Sequence, residues 1–139
     1  MSELICKREV WQMGSFDFRP VPKPDHKRGK RKQSQETTIT AKVDKEIYRR
    51  SSEEGYTVCE HCGCSVPRFR FERCHMLNAS QYGTGRAPWN VVILCGPRND
   101  NGSCHHWADE TIEGRDWKAR KQAELYLYYT AGEGQQYWK

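Results

Sequence analysis

The chain has 139 residues, of which 36% are hydrophobic, so there is room for one domain with tails but only a small apolar core. Small cores of this kind depend on disulfides or a bound metal, and seven cysteines supply candidates. The odd cysteine count and an amino terminus without an apolar run argue against a secreted disulfide scaffold. No stretch approaches the roughly 18 apolar residues of a membrane span. We therefore expect a cytoplasmic protein, with no membrane partner, that uses cysteine to bind metal.

The amino-terminal segment, residues 1–37, carries a basic run and is expected to be partly disordered. The net charge of +5 indicates a polyanionic partner, and KPDHKRGKRK at 23–32 holds six lysines and arginines in ten residues. Such a run is either a solvated linker or an arm that lies along nucleic-acid phosphates and releases counterions. The two are compatible, because arms of this kind are commonly disordered until bound. We predict phosphate contacts from Lys27, Arg28, Lys30, Arg31 and Lys32.

Two helices are predicted on either side of the cysteine-rich region. Thr40 is a suitable N-cap for a helix over residues 41–50, which has apolar residues four apart on one face. The segment at 116–129 has the pattern of an amphipathic helix, with Trp117, Leu125 and Tyr128 as candidate core residues. The predicted divisions of the chain are the amino-terminal segment with its basic linker (1–37), a central domain (38–114), and a carboxy-terminal helix and tail (115–139).

Two pairs of cysteines predict a structural zinc site. Cys59 and Cys62, in CEHC before Gly63, form a knuckle in which two thiolates reach one tetrahedral ion. The second pair, Cys95 and Cys104, is separated by GPRNDNGS, whose composition is typical of a loop that bulges without moving its ends apart. A closed four-cysteine site leaves no open coordination position, so we expect it to stabilise the fold and not to catalyse. The alternative, ordinary buried cysteines, is disfavoured by the knuckle spacing.

A second set of chemically active residues lies between and after these pairs: His75, then Asn90 in PWNVVILC, then His105 in SCHHWAD. This order, together with the cysteine pairs, resembles the zinc-stapled HNH endonucleases, many of which occur in phages and mobile elements. The resemblance covers about residues 45–112. It implies an α+β fold with a ββα-metal core, flanking helices and a basic amino-terminal arm. The core would use strands at 68–76 and 90–95 and a helix opened by 105–112.

The resemblance also implies a role for each residue. His75 would be the general base, since a neutral imidazole can accept a proton from water near pH 7. Asn90 would orient that base and hold the connecting loop, and His105 would bind a divalent ion at the scissile phosphate. Asp109 follows His105 by four residues, which places it on the same helix face as a second ligand. A carboxylate there, where many relatives have histidine, favours Mg²⁺ or Mn²⁺.

Cys74 departs from the family pattern, in which the residue before the base is usually histidine or aspartate and contributes to the metal. Three outcomes are open. Cys74 binds a softer ion such as Mn²⁺, Ni²⁺ or Zn²⁺; it is not a ligand and leaves the ion to His105 and Asp109; or the site is inactive. His75 itself also has a structural interpretation, as a core histidine of its strand.

The sequence therefore predicts a metal-dependent HNH endonuclease that hydrolyses DNA phosphodiester bonds, by nicking or double-strand cleavage, with little sequence readout. Arg73 and Arg86 flank the predicted site and are expected to contact phosphates. The expected cofactors are a structural Zn²⁺ and a catalytic Mg²⁺ or Mn²⁺, with Ni²⁺ or Zn²⁺ as alternatives. The family context suggests phage packaging or recombination proteins as partners and the host cytosol as location. The alternative is a non-catalytic zinc-binding nucleic-acid or scaffold module.

Overall fold

The computed structural model describes residues 32–65 and 70–139. The predicted phosphate contacts Lys27, Arg28, Lys30 and Arg31 lie outside these ranges, as do the first two residues of the predicted strand at 68–76. Within the described residues the helices are α1 (Lys32–Thr37), α2 (Ala41–Arg50), α3 (Cys104–Glu110) and α4 (Ile112–Ala131), and the strands are β1 (Ser52–Glu53), β2 (Tyr56–Thr57), β3 (Phe71–His75) and β4 (Val91–Cys95). Three short 3-10 turns complete the elements, at Ala79–Gln81, Pro88–Asn90 and Glu133–Gln136. The predicted α+β class is confirmed.

The sheet formed by β3 and β4 is the centre of the molecule. The strands are antiparallel, in a register that runs from Phe71 opposite Cys95 to His75 opposite Val91. All five residues of β4 are buried. Successive side chains of a strand point to opposite faces, so a strand that is covered on both faces is apolar at every position. This explains the uninterrupted sequence VVILC and places the sheet between two helical layers.

The two faces of the sheet meet different helices. Val91 and Ile93 pack with Val43 and Ile47 of α2 on one face. Val92 and Leu94 pack on the other face, in a cluster with Ala108 of α3 and Leu125 of α4. Each of the buried valine, leucine and isoleucine side chains contributes about 1.5–3 kcal/mol to folding by leaving water. Successive residues of β3 therefore also point into different surroundings, which separates Cys74 from its neighbour His75.

Helix α2 confirms the predicted helix over residues 41–50. The side chain of Thr40 caps it by accepting a hydrogen bond from the backbone N–H of Val43. Beyond its end at Arg50, the chain forms the antiparallel hairpin β1–β2, which was not predicted. Glu54 and Gly55 make the turn between these strands, both with positive φ, as two-residue hairpin turns require.

The last residues of the predicted linker form helix α1. Residues 32–37 are helical, and the following chain runs along the loop between β3 and β4. The side chain of Gln33 donates to the Ala79 carbonyl at 3.0 Å, and the N–H of Gly85 donates to the Glu36 carbonyl at 2.8 Å. A side chain at position 85 would overlap the backbone of residues 37–39, so only glycine permits this close approach.

A break at Thr111 separates α3 from α4. The Thr111 hydroxyl donates to the Trp107 carbonyl at 2.7 Å and accepts from the Gly114 N–H at 2.9 Å, so it ends one helix and caps the next. A side chain at Gly114 would overlap the backbone of Trp107 and Ala108, and glycine lets α4 start against α3. The predicted helix at 116–129 thus begins four residues earlier, and the predicted division between 114 and 115 falls inside α4.

The buried face of α4 differs in part from the predicted one. Leu125 is buried as predicted, whereas Trp117 and Tyr128 are only partly buried and Tyr129 takes the second core position. The same face carries a buried lysine, Lys118, which the amphipathic pattern had not indicated. This lysine points away from the apolar core and into the site described below.

Candidate metal centres

Four cysteines from the knuckle, β4 and α3 converge at one end of the sheet. Their sulfur atoms all lie within 4.8 Å of one another, a spacing that can hold one metal ion. The members of this four-cysteine cluster are Cys59, Cys62, Cys95 and Cys104. The knuckle turns at Gly63, which has φ +71° and donates its N–H to the Cys59 carbonyl at 2.8 Å. Four sulfur ligands at this spacing are compatible with a structural zinc ion.

Backbone N–H groups around the four-cysteine cluster donate hydrogen bonds to sulfur, which favours the thiolate form. The N–H of Cys95 donates to the Cys59 sulfur at 3.3 Å, and the N–H of Cys104 donates to the Cys95 sulfur at 3.5 Å. Burial alone would raise the pKa of Cys59, but backbone donors from three residues lower it below its ordinary value. Burial and the neighbouring cysteines raise the pKa of Cys104. A bound cation would therefore be required to hold all four as thiolates.

His61, inside the knuckle, is exposed. Its ring stacks on Trp107 with the centroids 4.1 Å apart, and its Nδ1 lies 3.3 Å from the Cys104 sulfur. The contact connects the knuckle to α3 beside the sulfur ligands. Trp107 is partly buried in this stack.

A second cluster lies on the sheet face that meets α3. Cys74 of β3 and His105 and Asp109 of α3 place one ligand atom each within 4.8 Å of one another, and we call them the mixed cluster. His105 Nε2 is 3.6 Å from Asp109 Oδ2, as expected one turn apart on a helix. Cys74 is only 1% exposed, and burial raises its pKa to about 12. A thiol, an imidazole and a carboxylate form a donor set that fits a divalent transition ion.

The two clusters share the start of α3. Cys104 belongs to the four-cysteine cluster and the next residue, His105, to the mixed cluster. Ser103 caps this helix by accepting a hydrogen bond from the backbone N–H of His106 at 3.1 Å. Consecutive residues of a helix point about 100° apart. One helix end can therefore supply both clusters while keeping their ligands distinct.

Glu72 supports the mixed cluster and was missed by the sequence interpretation. Its Oε2 lies 2.8 Å from His105 Nδ1, so the carboxylate holds the ring and leaves Nε2 facing Asp109. A carboxylate behind a metal-binding histidine is the usual orienting partner. The signal was available in principle, because Glu72 is two residues before Cys74 and therefore on the same face of β3.

Two cations also contact the mixed cluster. Lys118 Nζ lies 2.7 Å from Asp109 Oδ1, and Arg98 Nε lies 2.7 Å from Asp109 Oδ2. Lys118 is only 4% exposed and also donates to the Asn78 side-chain oxygen at 2.6 Å. Both oxygens of the Asp109 carboxylate are therefore paired with positive charge. Neither cation was predicted; the available signal for Lys118 was its position seven residues before Leu125, on the same helix face.

His75 lies at the end of β3, on the face opposite Cys74, and is not a member of the mixed cluster. Its Nε2 is 3.0 Å from the Thr37 carbonyl at the end of α1. Because a carbonyl only accepts, Nε2 carries the proton, and Nδ1 of the neutral ring keeps its lone pair. Burial is the main cause that lowers the pKa of His75 below its ordinary value, and the charge of Lys118 lowers it further. The ring is therefore neutral near pH 7.

Asn90 is buried and fully hydrogen-bonded. Its side-chain oxygen accepts from the N–H of Leu77 at 2.8 Å and from Gln122 Nε2 at 2.7 Å. Its amide nitrogen donates to the carbonyls of Leu77 at 3.3 Å and Thr84 at 2.9 Å. One side chain thus joins α4 to two points of the loop that follows His75, at Leu77 and Thr84. Asn90 belongs to the Pro88–Asn90 turn, one residue before the observed start of β4.

The predicted phosphate contacts that fall within the described residues lie on the surface. Arg73 pairs with Asp44 at 3.0 Å, and its side chain is about half exposed. Arg86 lies 3.8 Å from Glu36, and Lys32 is exposed at the start of α1. Exposed pairs of this kind contribute little to stability, so these cations can exchange partners.

In the part of the chain that the structure describes, none of the helices combines the length and apolar character needed to cross a membrane. Comparison with protein-family models, with curated proteins and with solved structures finds no match to this chain. A functional assignment therefore rests on the residues, their contacts and the resemblance noted from the motifs.

Proposed function

We propose that the chain is a metal-dependent endonuclease of the HNH type that hydrolyses DNA phosphodiester bonds. The observation that carries the proposal is the convergence of Cys74, His105 and Asp109 into a mixed cluster separate from the four-cysteine cluster. The succession of β3, β4 and α3 supports a ββα-metal core, since these elements supply the candidate base and the candidate ligands in the order that the resemblance implies. The four-cysteine cluster would bind the structural zinc.

His75 would serve as the general base through Nδ1, the ring nitrogen left free by the contact with the Thr37 carbonyl. Because burial lowers its pKa, the ring is unprotonated near pH 7 and can accept a proton from the attacking water. Asn90 would hold the loop behind this base through its hydrogen bonds to Leu77 and Thr84. His75 would thus act from a fixed position.

The mixed cluster would provide the electrophilic half of the site. A divalent ion bound there would supply positive charge to the scissile phosphate and the leaving oxygen. Glu72 would orient His105 for that ion through the contact at Nδ1. The donors of the mixed cluster include sulfur, so Mn²⁺, Ni²⁺ and Zn²⁺ are candidates beside Mg²⁺.

DNA would be held mainly through its phosphates. Lys32, Arg73 and Arg86 are exposed cations, and the net charge of the chain is +5. Phosphate contacts give salt-dependent affinity with little base readout. Low sequence specificity is therefore part of the proposal, and the basic residues of 23–32 are expected to add to the affinity.

A plasmid-nicking assay tests the proposal. The zinc-loaded protein is assayed with Mg²⁺, Mn²⁺, Ni²⁺ or added Zn²⁺, and His75→Ala is expected to lower the rate by at least about a hundredfold, the usual contribution of a general base. The zinc content and thermal midpoint of the variant should match wild type. The wild-type rate should rise with pH along an acid limb below the ordinary histidine pKa and level off near neutrality, because protonation removes the Nδ1 lone pair. Absence of cleavage with every metal, or cleavage untouched by His75→Ala, would contradict the proposal.

A second candidate function is a non-catalytic, zinc-binding nucleic-acid module. The observation that favours it is the pairing of both Asp109 oxygens with Lys118 and Arg98, which satisfies the carboxylate through side chains alone. Metal stoichiometry separates the two functions. An endonuclease should bind a second divalent ion per chain beyond the structural zinc, whereas the binding module should bind DNA and zinc alone.

A further inference from the structure

We propose that Arg98 is a phosphate-binding residue that exchanges with a divalent metal: it pairs with Asp109 Oδ2, and it turns to a DNA phosphate when a metal ion takes its place at that oxygen. The inference rests on the proposed function, because it names the residue that would couple metal binding to substrate binding at the same site. It is carried by the contacts of Arg98, by its exposure and by the cleft beside it.

Arg98 and a metal ion would compete for one oxygen atom. Arg98 Nε contacts Asp109 Oδ2 at 2.7 Å, and this is the oxygen that faces His105 Nε2 at 3.6 Å. A ligand set that includes His105 and Asp109 would use the same Oδ2. Two cations in contact with a single carboxylate oxygen repel one another strongly in a buried setting. The Asp109 side chain is only 6% exposed, so water would screen this repulsion poorly.

The two cations that contact Asp109 differ in their freedom to leave. Lys118 is 4% exposed and held by both Asp109 Oδ1 and Asn78, so moving its ammonium would leave a buried charge without partners. The Arg98 side chain is 59% exposed, lies on the loop before α3, and has a second carboxylate partner in Glu110 at 3.6 Å, which is itself exposed. It can leave Asp109 for solvent at little desolvation cost. Lys118 is therefore a fixed cation at Oδ1, and Arg98 an exchangeable one at Oδ2.

The released guanidinium has a place to act. An open cleft of about 470 Å³ adjoins the site, and its lining combines Arg98, Asn99 and His106 with the carboxylates of Glu72 and Glu110. The Arg98 backbone is anchored at this cleft, because its N–H donates to Glu72 at 3.0 Å and its carbonyl lies 3.1 Å from His106 Nδ1. The side chain can therefore swing while its origin stays beside the mixed cluster. A guanidinium is the planar, bidentate donor that suits a phosphate.

The experiment measures metal binding and cleavage separately. Mn²⁺ is titrated calorimetrically into zinc-loaded, full-length protein without DNA, for wild type, Arg98→Gln and the control Arg115→Gln. Arg115 is a matched control, since it is exposed and its guanidinium donates at 3.3 Å to the backbone carbonyl of Asp109 and not to its carboxylate. Removal of a competing cation should make Arg98→Gln bind Mn²⁺ about tenfold more tightly, the scale of effects around metal ligands. Arg115→Gln should stay within about twofold of wild type.

The rate of DNA cleavage should fall in Arg98→Gln, although this variant binds Mn²⁺ more tightly. At saturating Mn²⁺, kcat/KM for the nicking of supercoiled plasmid should fall by about a hundredfold in Arg98→Gln. This is the loss seen when one donor to a developing anion is removed. A residue with a merely structural role would not tighten metal binding while it weakens cleavage. Equal Mn²⁺ affinity in Arg98→Gln and Arg115→Gln, or undiminished cleavage by Arg98→Gln, would overturn the inference. If Arg98→Gln binds Mn²⁺ more tightly but the wild-type protein cleaves DNA with none of the metals tested, the result would support the competition at Asp109 and overturn the proposed function instead.

Discussion

The four-cysteine cluster and the mixed cluster take one ligand each from adjacent residues of α3, Cys104 and His105, yet their surroundings differ in kind. The first is a set of equal ligands surrounded by backbone N–H groups that donate to sulfur. The second combines three kinds of ligand and is surrounded by charged side chains. Backbone donors come with the fold and are always in place, whereas side-chain ions can exchange partners. We therefore propose that the first cluster stabilises the fold and that the second carries the chemistry.

The two clusters are also expected to differ in how much they contribute to the free energy of folding. A structural zinc site contributes folding energy outright, since the ligands are brought together only in the folded chain. Buried ion pairs such as Asp109 with Lys118 contribute little net stability because desolvation offsets the attraction. They become costly only when one partner is removed. Variants at each cluster should therefore fail in different ways, and three of them test this.

The largest effect is expected at the four-cysteine cluster. Cys59→Ser removes a buried sulfur ligand and should unfold the domain, because structural zinc supplies about 10 kcal/mol or more and a small domain has a net stability of similar size. Cys64→Ser is the matched control, an exposed cysteine outside both clusters, and should keep wild-type stability. Circular dichroism and zinc content measure both. If the two variants behave alike, the four-cysteine cluster is not the source of stability.

The next effect is expected from the fixed cation. Lys118→Met leaves the Asp109 carboxylate and the Asn78 oxygen without their buried donor, and should lower the free energy of unfolding by about 3–5 kcal/mol. Lys121→Met removes a lysine one turn away whose partner Glu124 is exposed, and should cost less than about 1 kcal/mol. Urea unfolding of zinc-loaded protein gives both values. Added Mn²⁺ should recover part of the loss only in Lys118→Met. Equal losses in the two variants would show that Lys118 is no more important to the fold than a surface lysine.

The smallest effect is expected at Glu72, where a substitution should change metal affinity and leave the fold intact. Glu72→Gln keeps the shape of the side chain but weakens the contact that orients His105, and should lower Mn²⁺ affinity by about 10–100-fold. Glu113→Gln, an exposed change in the first turn of α4, should leave affinity unchanged. Calorimetric titration measures the affinity, and zinc content should be equal in both proteins. A loss of zinc in Glu72→Gln would show that the two clusters are not independent.

Much of the local structure could be predicted because local rules specify it. The cap at Thr40 and the apolar spacing beyond it predict α2, and the knuckle spacing of Cys59 and Cys62 predicts that their sulfur atoms meet. The strand at 90–95 that the resemblance implies is observed as β4 over Val91–Cys95, and its apolar sequence matches its burial on both faces. Each of these features is set by residues a few positions apart, where the sequence carries the information directly.

The charged surroundings of the mixed cluster could not be predicted in the same way. Lys118 and Arg98 reach Asp109 from the next helix and from the preceding loop, and a lysine in an amphipathic helix is ordinarily a solvated one. The Thr37 carbonyl that contacts His75 belongs to a segment predicted to be a linker. Such contacts depend on tertiary packing, which spacing along the chain does not encode.

The break at Thr111 has a consequence for how the mixed cluster depends on chain length. In one continuous helix, residues 109 and 118 would lie on opposite sides and about 13 Å apart along the axis. The turn at Thr111 instead folds α4 back so that Lys118 reaches Asp109 at 2.7 Å. One residue inserted between Thr111 and Lys118 would rotate the lysine by about 100° and remove it from the carboxylate. The number of residues between two charges is thus as much a determinant of this site as the charges themselves.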